Sequence, residues 1–262
     1  MTDSNSLLAR ASRPVVLVVA LLIAWDLGIR LFHIPAYLIP PPLAVIGELA
    51  RQWQMLVRQS SYTTAATVAG FLLSIAFGIP TAICIANSRT VESYVYPLLV
   101  FSQSIPKIAI VPLFVVWFGF GITPKIIAAF LLAFFPIVVS TVLGLKSVEA
   151  EMFELARSMG ASRTKTFFKI SLPLALPAIF NGFKVSITLA VVGAVVGEFV
   201  GSNSGIGYVL QTANGNFDLP LMFAALVLLS VIGVVLFFLI DLAERYAIPW
   251  HASHRVEFNA TS

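Results

Sequence analysis

The stretch Glu154-Leu-Ala-Arg-Ser-Met-Gly160, followed at fixed distance by Ile170-Ser-Leu-Pro173, is a polar island in a chain that is otherwise mostly apolar. Met152, Leu155, Ala156 and Met159 recur at i, i+3, i+4 and i+7, so they share one face of a helix. Glu149, Glu151 and Glu154 crowd its first turns, where the helix dipole favours negative charge, and Arg157 lies near its end. Gly160 suits the position just past the last turn, where the backbone becomes left-handed. Residues 163–169 are strongly basic, and Pro173 precedes the next apolar run. The spacing predicts a helix–turn–helix elbow on a membrane surface, too short to bury its own apolar face. Helix physics leaves two readings open: the face docks into a partner, or it lies on lipid headgroups.

Outside the island the chain reads as membrane. Of 262 residues 59% are hydrophobic and 11% charged, against about 25% charged in a soluble domain. A helix needs roughly 20 apolar residues to cross a bilayer, and six such runs are present, near 14–32, 62–86, 94–117, 126–145, 174–201 and 219–240. Arg10 and Arg13 ahead of the first run also fit a secretory leader, but no A-x-A-like cleavage site follows, so the run is read as a retained span. The expected organisation is a cytoplasmic tail at 1–13, a membrane domain at 14–250 containing the loop 146–173, and a second tail at 251–262. Both chain ends, 1–9 and 252–262, read as disordered.

With the N-terminus inside, the inner segments carry ten basic residues and the outer segments four. The positive-inside rule then puts both termini and the island in the cytoplasm. The outer segment 33–61 opens with Pro40-Pro41-Pro42, a stiff extended stretch. A short amphipathic helix is expected after it, with Leu43, Ile46, Leu49 and Ala50 on one face. The outer segment 201–218 is polar and glycine-rich and reads as a loop.

Several functions are excluded. The net charge of +4 comes with no basic stripe interleaved with aromatics, so nucleic acid is not a partner. Cys84 is the only cysteine, and His33, His251 and His254 are scattered without metal-site spacing. No G-x4-G-K-[ST] loop is present, nor a Ser/His/Asp or Cys/His arrangement. The chain is therefore read as a non-enzyme with no catalytic residue, no metal and no cofactor of its own.

Charges inside spans are functional candidates. Lys107, beside Gln103, Ser104 and Pro106, either attracts an anionic solute or pairs with carbonyls or Glu198. Glu198 either serves a gate or interface, or is solvated at the outer end of its span. Asp26 reads as polar packing, and Lys184 as a lysine reaching the inner surface. Gly193, Gly197 and Gly201 fall four apart, as do Gly70, Ser74 and Gly78, which lets helix backbones approach closely. Pro80 and Pro136 are expected to kink their helices.

The spacing E-x-A-x3-G-x9-I-x-L-P of the island closely resembles the EAA loop of the membrane subunits of binding-protein-dependent ABC importers. Glu154, Ala156, Gly160, Ile170, Leu172 and Pro173 match; the second position, usually Ala, is Leu155. Residues 106–113 with Trp117-Phe-Gly-Phe-Gly121, and Val196-Gly-Glu-Phe-Val-Gly201 with Gly205-Ile-Gly207, resemble the subfamily for nitrate, sulfonates, taurine and related small organic solutes. The resemblance implies an all-α type I importer permease of six transmembrane helices in a bacterial inner membrane. It implies that Glu154–Gly160 of this chain is a coupling helix. It also implies ATPase subunits that carry ATP and Mg2+, an extracytoplasmic solute-binding protein, and a second permease copy as a homodimer. Gln103, Ser104, Lys107 and Glu198 are the candidates for the translocation path. The alternative is a stand-alone secondary transporter, which would be expected to show internal repeats; none is visible.

Overall fold

The computed structural model describes residues 3–35 and 37–249. His251, His254 and the expected tail at 251–262 lie outside them. Among the described residues every regular element is helical: α1 (Asp3–Leu31), α2 (Pro42–Arg51), α3 (Trp53–Asn87), α4 (Arg89–Ser104), α5 (Lys107–Phe118), α6 (Thr123–Lys146), α7 (Ala150–Ser158), α8 (Arg163–Thr166), α9 (Leu172–Gly201), α10 (Ile206–Gly215) and α11 (Leu219–Ala247). A single π-helical turn, Phe167–Ser171, joins α8 to α9, so the path from Arg163 to Gly201 is helical throughout. The wide turn comes just before Pro173, which has no N–H to continue a regular ladder.

The centre of the bundle is α6, held between α3 and α9, and the sequence explains why. Small residues on all three helices bring backbones into contact. A Cβ built on Gly193 would lie 2.6 Å from the Ala128 carbonyl oxygen, and one on Gly197 2.7 Å from the Lys125 Cα. On the other side of α6, a Cβ on Gly70 would lie 2.8 Å from the Ile126 carbonyl oxygen. Ser74 Oγ reaches the Phe130 carbonyl at 3.0 Å. In hydrocarbon there is no hydrophobic drive between helices, so this close van der Waals contact is what holds them together. Phe71, Ile137, Ile187 and Leu236 fill the remaining space.

Among the described residues four helical stretches are long and apolar enough to cross a bilayer: α3, α6, the path ending in α9, and α11. The run at 94–117 is not one straight span. It forms α4 and α5, bent by 90° at the break between them. Pro106 holds Ile105 in extended backbone (φ −77°, ψ 124°) and so ends α4. The expected disorder at 1–9 is replaced from Asp3 onward by helix α1. From Val16 on, α1 exposes most of its large apolar side chains; it meets the bundle at Trp25, whose ring lies 5.7 Å from that of Phe223. Asp26 forms an ion pair with Arg30 at 2.8 Å. Pro80 and Pro136 both lie inside unbroken helices.

Two of the segments read as outer differ from the sequence reading. The face of α2 that packs carries Pro42, Val45 and Glu48, while Leu43 and Ile46 point outward. The stretch read as a polar loop contains helix α10, whose Ile206, Val209, Leu210 and Ala213 are buried. Those residues stand at i, i+3, i+4 and i+7, a helical signal masked by flanking glycines and asparagines. Ile206, Val209 and Leu210 form a second apolar core with Val45, Leu56 and Ala225.

Candidate functional site

The elbow forms as its residues require. Glu149 stands at the N-cap of α7 in extended backbone, and Glu151 occupies the first turn. At the other end Gly160 adopts φ +73°, its N–H donates to the Arg157 carbonyl at 3.0 Å, and the Ala161 N–H donates to the Ala156 carbonyl at 2.9 Å. These two bonds are a complete Schellman stop, which needs a residue that accepts the left-handed region. Ser162 then caps α8, its Oγ accepting from the Lys165 N–H.

The predicted apolar face is divided. Ala156 is buried, whereas Met152, Leu155 and Met159 are 41%, 57% and 78% exposed. Glu154 lies beside that face and lines a cavity of about 530 Å³ between the elbow and the C-terminal ends of α3 and α6, with Asn87, Leu145, Phe153, Arg157 and Arg163. Ile170 lies in the π turn and Leu172 and Pro173 in the first turn of α9, all half-buried. Leu172 packs on Leu145, Ala175 and Ile179. The six motif residues thus divide by place: Glu154, Ala156 and Gly160 form the elbow, and Ile170, Leu172 and Pro173 its root in the bundle.

The structure separates Lys107 from Glu198. Lys107 is the first residue of α5, half-buried, with Nζ 5.5 Å from the centroid of the Phe135 ring. It lines a small cavity of about 120 Å³ with Ser102, Phe134 and Phe135. Gln103 and Ser104, on the last turn of α4, are exposed.

Glu198 instead meets Lys125, at 3.8 Å, and the two side chains are 0% and 2% exposed. This corrects the reading of Glu198 as an interfacially solvated group; Lys125, one of the basic residues of a segment read as outer, is its buried partner. Thr63 Oγ1 lies 3.0 Å from both carboxylate oxygens, and the Gly207 N–H donates to Oε2 at 2.8 Å. Lys125 Nζ donates to the Ser204 carbonyl at 2.7 Å and to its Oγ at 3.0 Å. Thr63 Oγ1 also accepts from the Ile206 N–H, and Gln59 Oε1 accepts from the Gly205 N–H at 2.7 Å. The free N–H groups at the start of α10 are therefore satisfied by α3 and α9 rather than by a local cap. Gly205 has φ +105°, and a Cβ there would collide with the Glu198 carboxylate.

Residues 74–248 match the family model described as the binding-protein-dependent transport system inner membrane component. The chain belongs to this family. It is the membrane-spanning permease subunit of an ABC importer, a multi-pass inner-membrane protein that works with ATPase and solute-binding partners. Membership sets aside the stand-alone secondary transporter. The permease is 38% identical over 245 residues to the riboflavin transport system permease protein RibX of Chloroflexus aurantiacus, covering 92% of this chain and 90% of that protein. It is 37% identical over 242 residues to the formylaminopyrimidine transport permease protein ThiX of Halalkalibacterium halodurans, covering 92% and 96%. The taurine transport system permease protein TauC of Escherichia coli is 30% identical over 246 residues, covering 90% and 88%. Among solved structures, a chain of the inward-facing MetNI methionine ABC transporter superposes with a TM-score of 0.66 at 23% identity, covering 75% of this chain and 97% of that one. That likeness concerns the fold.

A second charge cluster of the permease lies between α9 and α11: Lys184 pairs with Asp241 and, at 2.6 Å, with Glu244. Arg245 also binds Asp241 at 3.0 Å. The sequence reading stopped the last span at residue 240, one residue short of the acid that pairs with Lys184. The signal for both clusters was present, as charges of opposite sign near the same ends of different spans. Which ends are neighbours is decided by packing.

Proposed function

We propose that the permease acts as a homodimer, with both termini cytoplasmic and an ATPase subunit seated on each α7 elbow. The observation that carries this is the exposed row Met152, Leu155 and Met159 on a helix stopped by Gly160 between two membrane-crossing helices. Such a row on a charged helix fits an apolar groove of a partner, with Glu154 available to pair at its edge. ATP and Mg2+ bind the ATPase subunits, not this chain. Closure of the ATPase dimer draws the two elbows together. The elbow leads directly into a helix running from Arg163 to Gly201, about 58 Å long at 1.5 Å per residue, so movement at the elbow is transmitted to the outer end. The exposed apolar side chains of α1 and α4–α5 support a second copy as the membrane partner. The test is Leu155→Asp and Glu154→Lys: ATPase subunits should no longer co-purify with the tagged permease and uptake should be lost, while membrane insertion persists. Normal co-purification and uptake in both variants would refute the docking.

The cargo we infer is a small organic solute with anionic character, of the nitrate, sulfonate or taurine class, with Lys107 facing its path. A second reading, a flat heteroaromatic solute, is favoured by the relatives named for riboflavin and formylaminopyrimidine and by the Phe134 and Phe135 rings beside Lys107. Competition of uptake by taurine and by riboflavin separates the two.

A further inference from the structure

The side of α7 away from its exposed row faces a cavity that the row does not reach. At 3.6 residues per turn, Phe153, Glu154 and Arg157 lie opposite Met152, Leu155 and Met159. They form one wall of the cavity of about 530 Å³, with Arg163 of α8, Ser171 of the π turn and Leu145 near the end of α6. Leu145 belongs to the last turn of a membrane-crossing helix, so the cavity lies close to one membrane surface.

The polar groups of this cavity point to an anion. Among the described residues no ion pair reaches Arg157, Arg163 or Glu154. Two guanidiniums against one carboxylate leave the cavity net positive. Ser171 is 4% exposed, and its hydroxyl has no hydrogen-bond partner among the described residues. A buried hydroxyl normally finds one, and this one belongs to the cavity wall. Guanidinium forks match phosphate oxygens in geometry as well as in charge. Phe153, Phe167 and Leu145 make the rest of the wall apolar. The volume falls within the roughly 300–1,000 Å³ of small-molecule sites, so an organic substituent fits beside a phosphate. Basic pockets between membrane helices are where anionic head groups bind.

We propose that the cavity behind the elbow binds a phosphate ester, its oxygens held by Arg157, Arg163 and the Ser171 hydroxyl and its organic part against Phe153 and Phe167. Two sources share that chemistry, a phospholipid head group and a soluble phosphate ester. The site lies on the other side of α7 from the row assigned to the ATPase, and it rests on the importer reading only for that assignment. Arg157 is on α7 and Arg163 opens α8, so a bound ester ties the two helices across the Gly160 turn and stiffens the elbow.

The experiment titrates the delipidated permease–ATPase complex with phosphatidylglycerol, with glycerol 1-phosphate and with a diacylglycerol, and counts bound ligand by native mass spectrometry. One phosphate ester per permease chain is expected, and the diacylglycerol, which lacks the phosphate, should not displace it. Binding of phosphatidylglycerol alone identifies a lipid source, and equal binding of glycerol 1-phosphate a soluble one. Arg157→Gln and Arg163→Gln should each weaken binding about ten-fold, the loss of one charge-assisted contact, and Arg157→Lys should weaken it less. Ala161→Phe, which fills the cavity and leaves both charges in place, should block binding. The ATPase subunits should stay with both glutamine variants. The proposal is overturned if the wild type binds no phosphate ester, if the diacylglycerol binds as tightly, or if the glutamine variants bind like the wild type. Loss of the ATPase subunits from those variants would place the arginines in the docking face and overturn it as well. If the wild-type permease purifies without an ATPase, the importer reading fails, and the same titration on the permease alone still decides the site.

Discussion

Lys125 and Glu198 join the start of α6 to the end of α9 across 3.8 Å, with almost no solvent access to either side chain. Neither charge is held by its partner alone: the ammonium donates to Ser204, and the carboxylate accepts from Thr63 and Gly207. Removing one partner of a buried pair typically costs about 3–5 kcal/mol, because the other charge is left uncompensated. Lys125→Met should therefore lower the thermal midpoint of the complex strongly. Glu198→Gln should cost less, since an amide oxygen still accepts from Gly207. In the Lys125→Met background the Glu198→Gln change should recover part of the loss. Strictly additive shifts in thermal unfolding would show that the two residues are not coupled.

Gly160 is the second sensitive point. Any other L-residue at φ +73° costs roughly 1–2 kcal/mol, and proline also removes the N–H that bonds Arg157. Gly160→Ala should reduce uptake and Gly160→Pro abolish it, with membrane insertion unchanged in both. ATPase co-purification checks the cause. Full retention of the ATPase by Gly160→Pro, with normal uptake, would mean that the turn has no part in docking.

The orientation is tested by labelling. In a Cys84→Ala background, Arg163→Cys should react with an impermeant thiol reagent only from the cytoplasmic side, and Asn216→Cys only from outside. Both positions are exposed, so access does not limit the result. Reversed labelling would put α7 outside and remove the basis for ATPase docking.

Lys107 gives a prediction about the path. A lysine facing lipid near mid-span costs about 2.5–3.5 kcal/mol on insertion scales, and here it sits half-buried over Phe135. Lys107→Met should lower transport while ATPase co-purification is kept, and Lys107→Arg should retain part of it. Uptake by Lys107→Met at the wild-type rate would remove the sequence argument for an anionic cargo.

Much of this protein was legible in the chain because the bilayer imposes simple constraints. Apolar run length marked the long helices, and the i, i+3, i+4 pattern with Gly160 marked α7 and its stop. These are local properties, set within one or two turns. The small-residue rows at Gly70–Gly78 and Gly193–Gly201 predicted close approach, but not that α6 is the helix between them. That choice, like the partners of Glu198 and Lys184, depends on which spans are neighbours. A charge in an apolar run has a price in hydrocarbon that the sequence makes plain; only packing shows that Lys125 and Asp241 meet it. The 90° bend after α4 and the burial of α10 belong to the same class. Local preference permitted them at Pro106 and at Ile206–Ala213, and tertiary contacts made them definite.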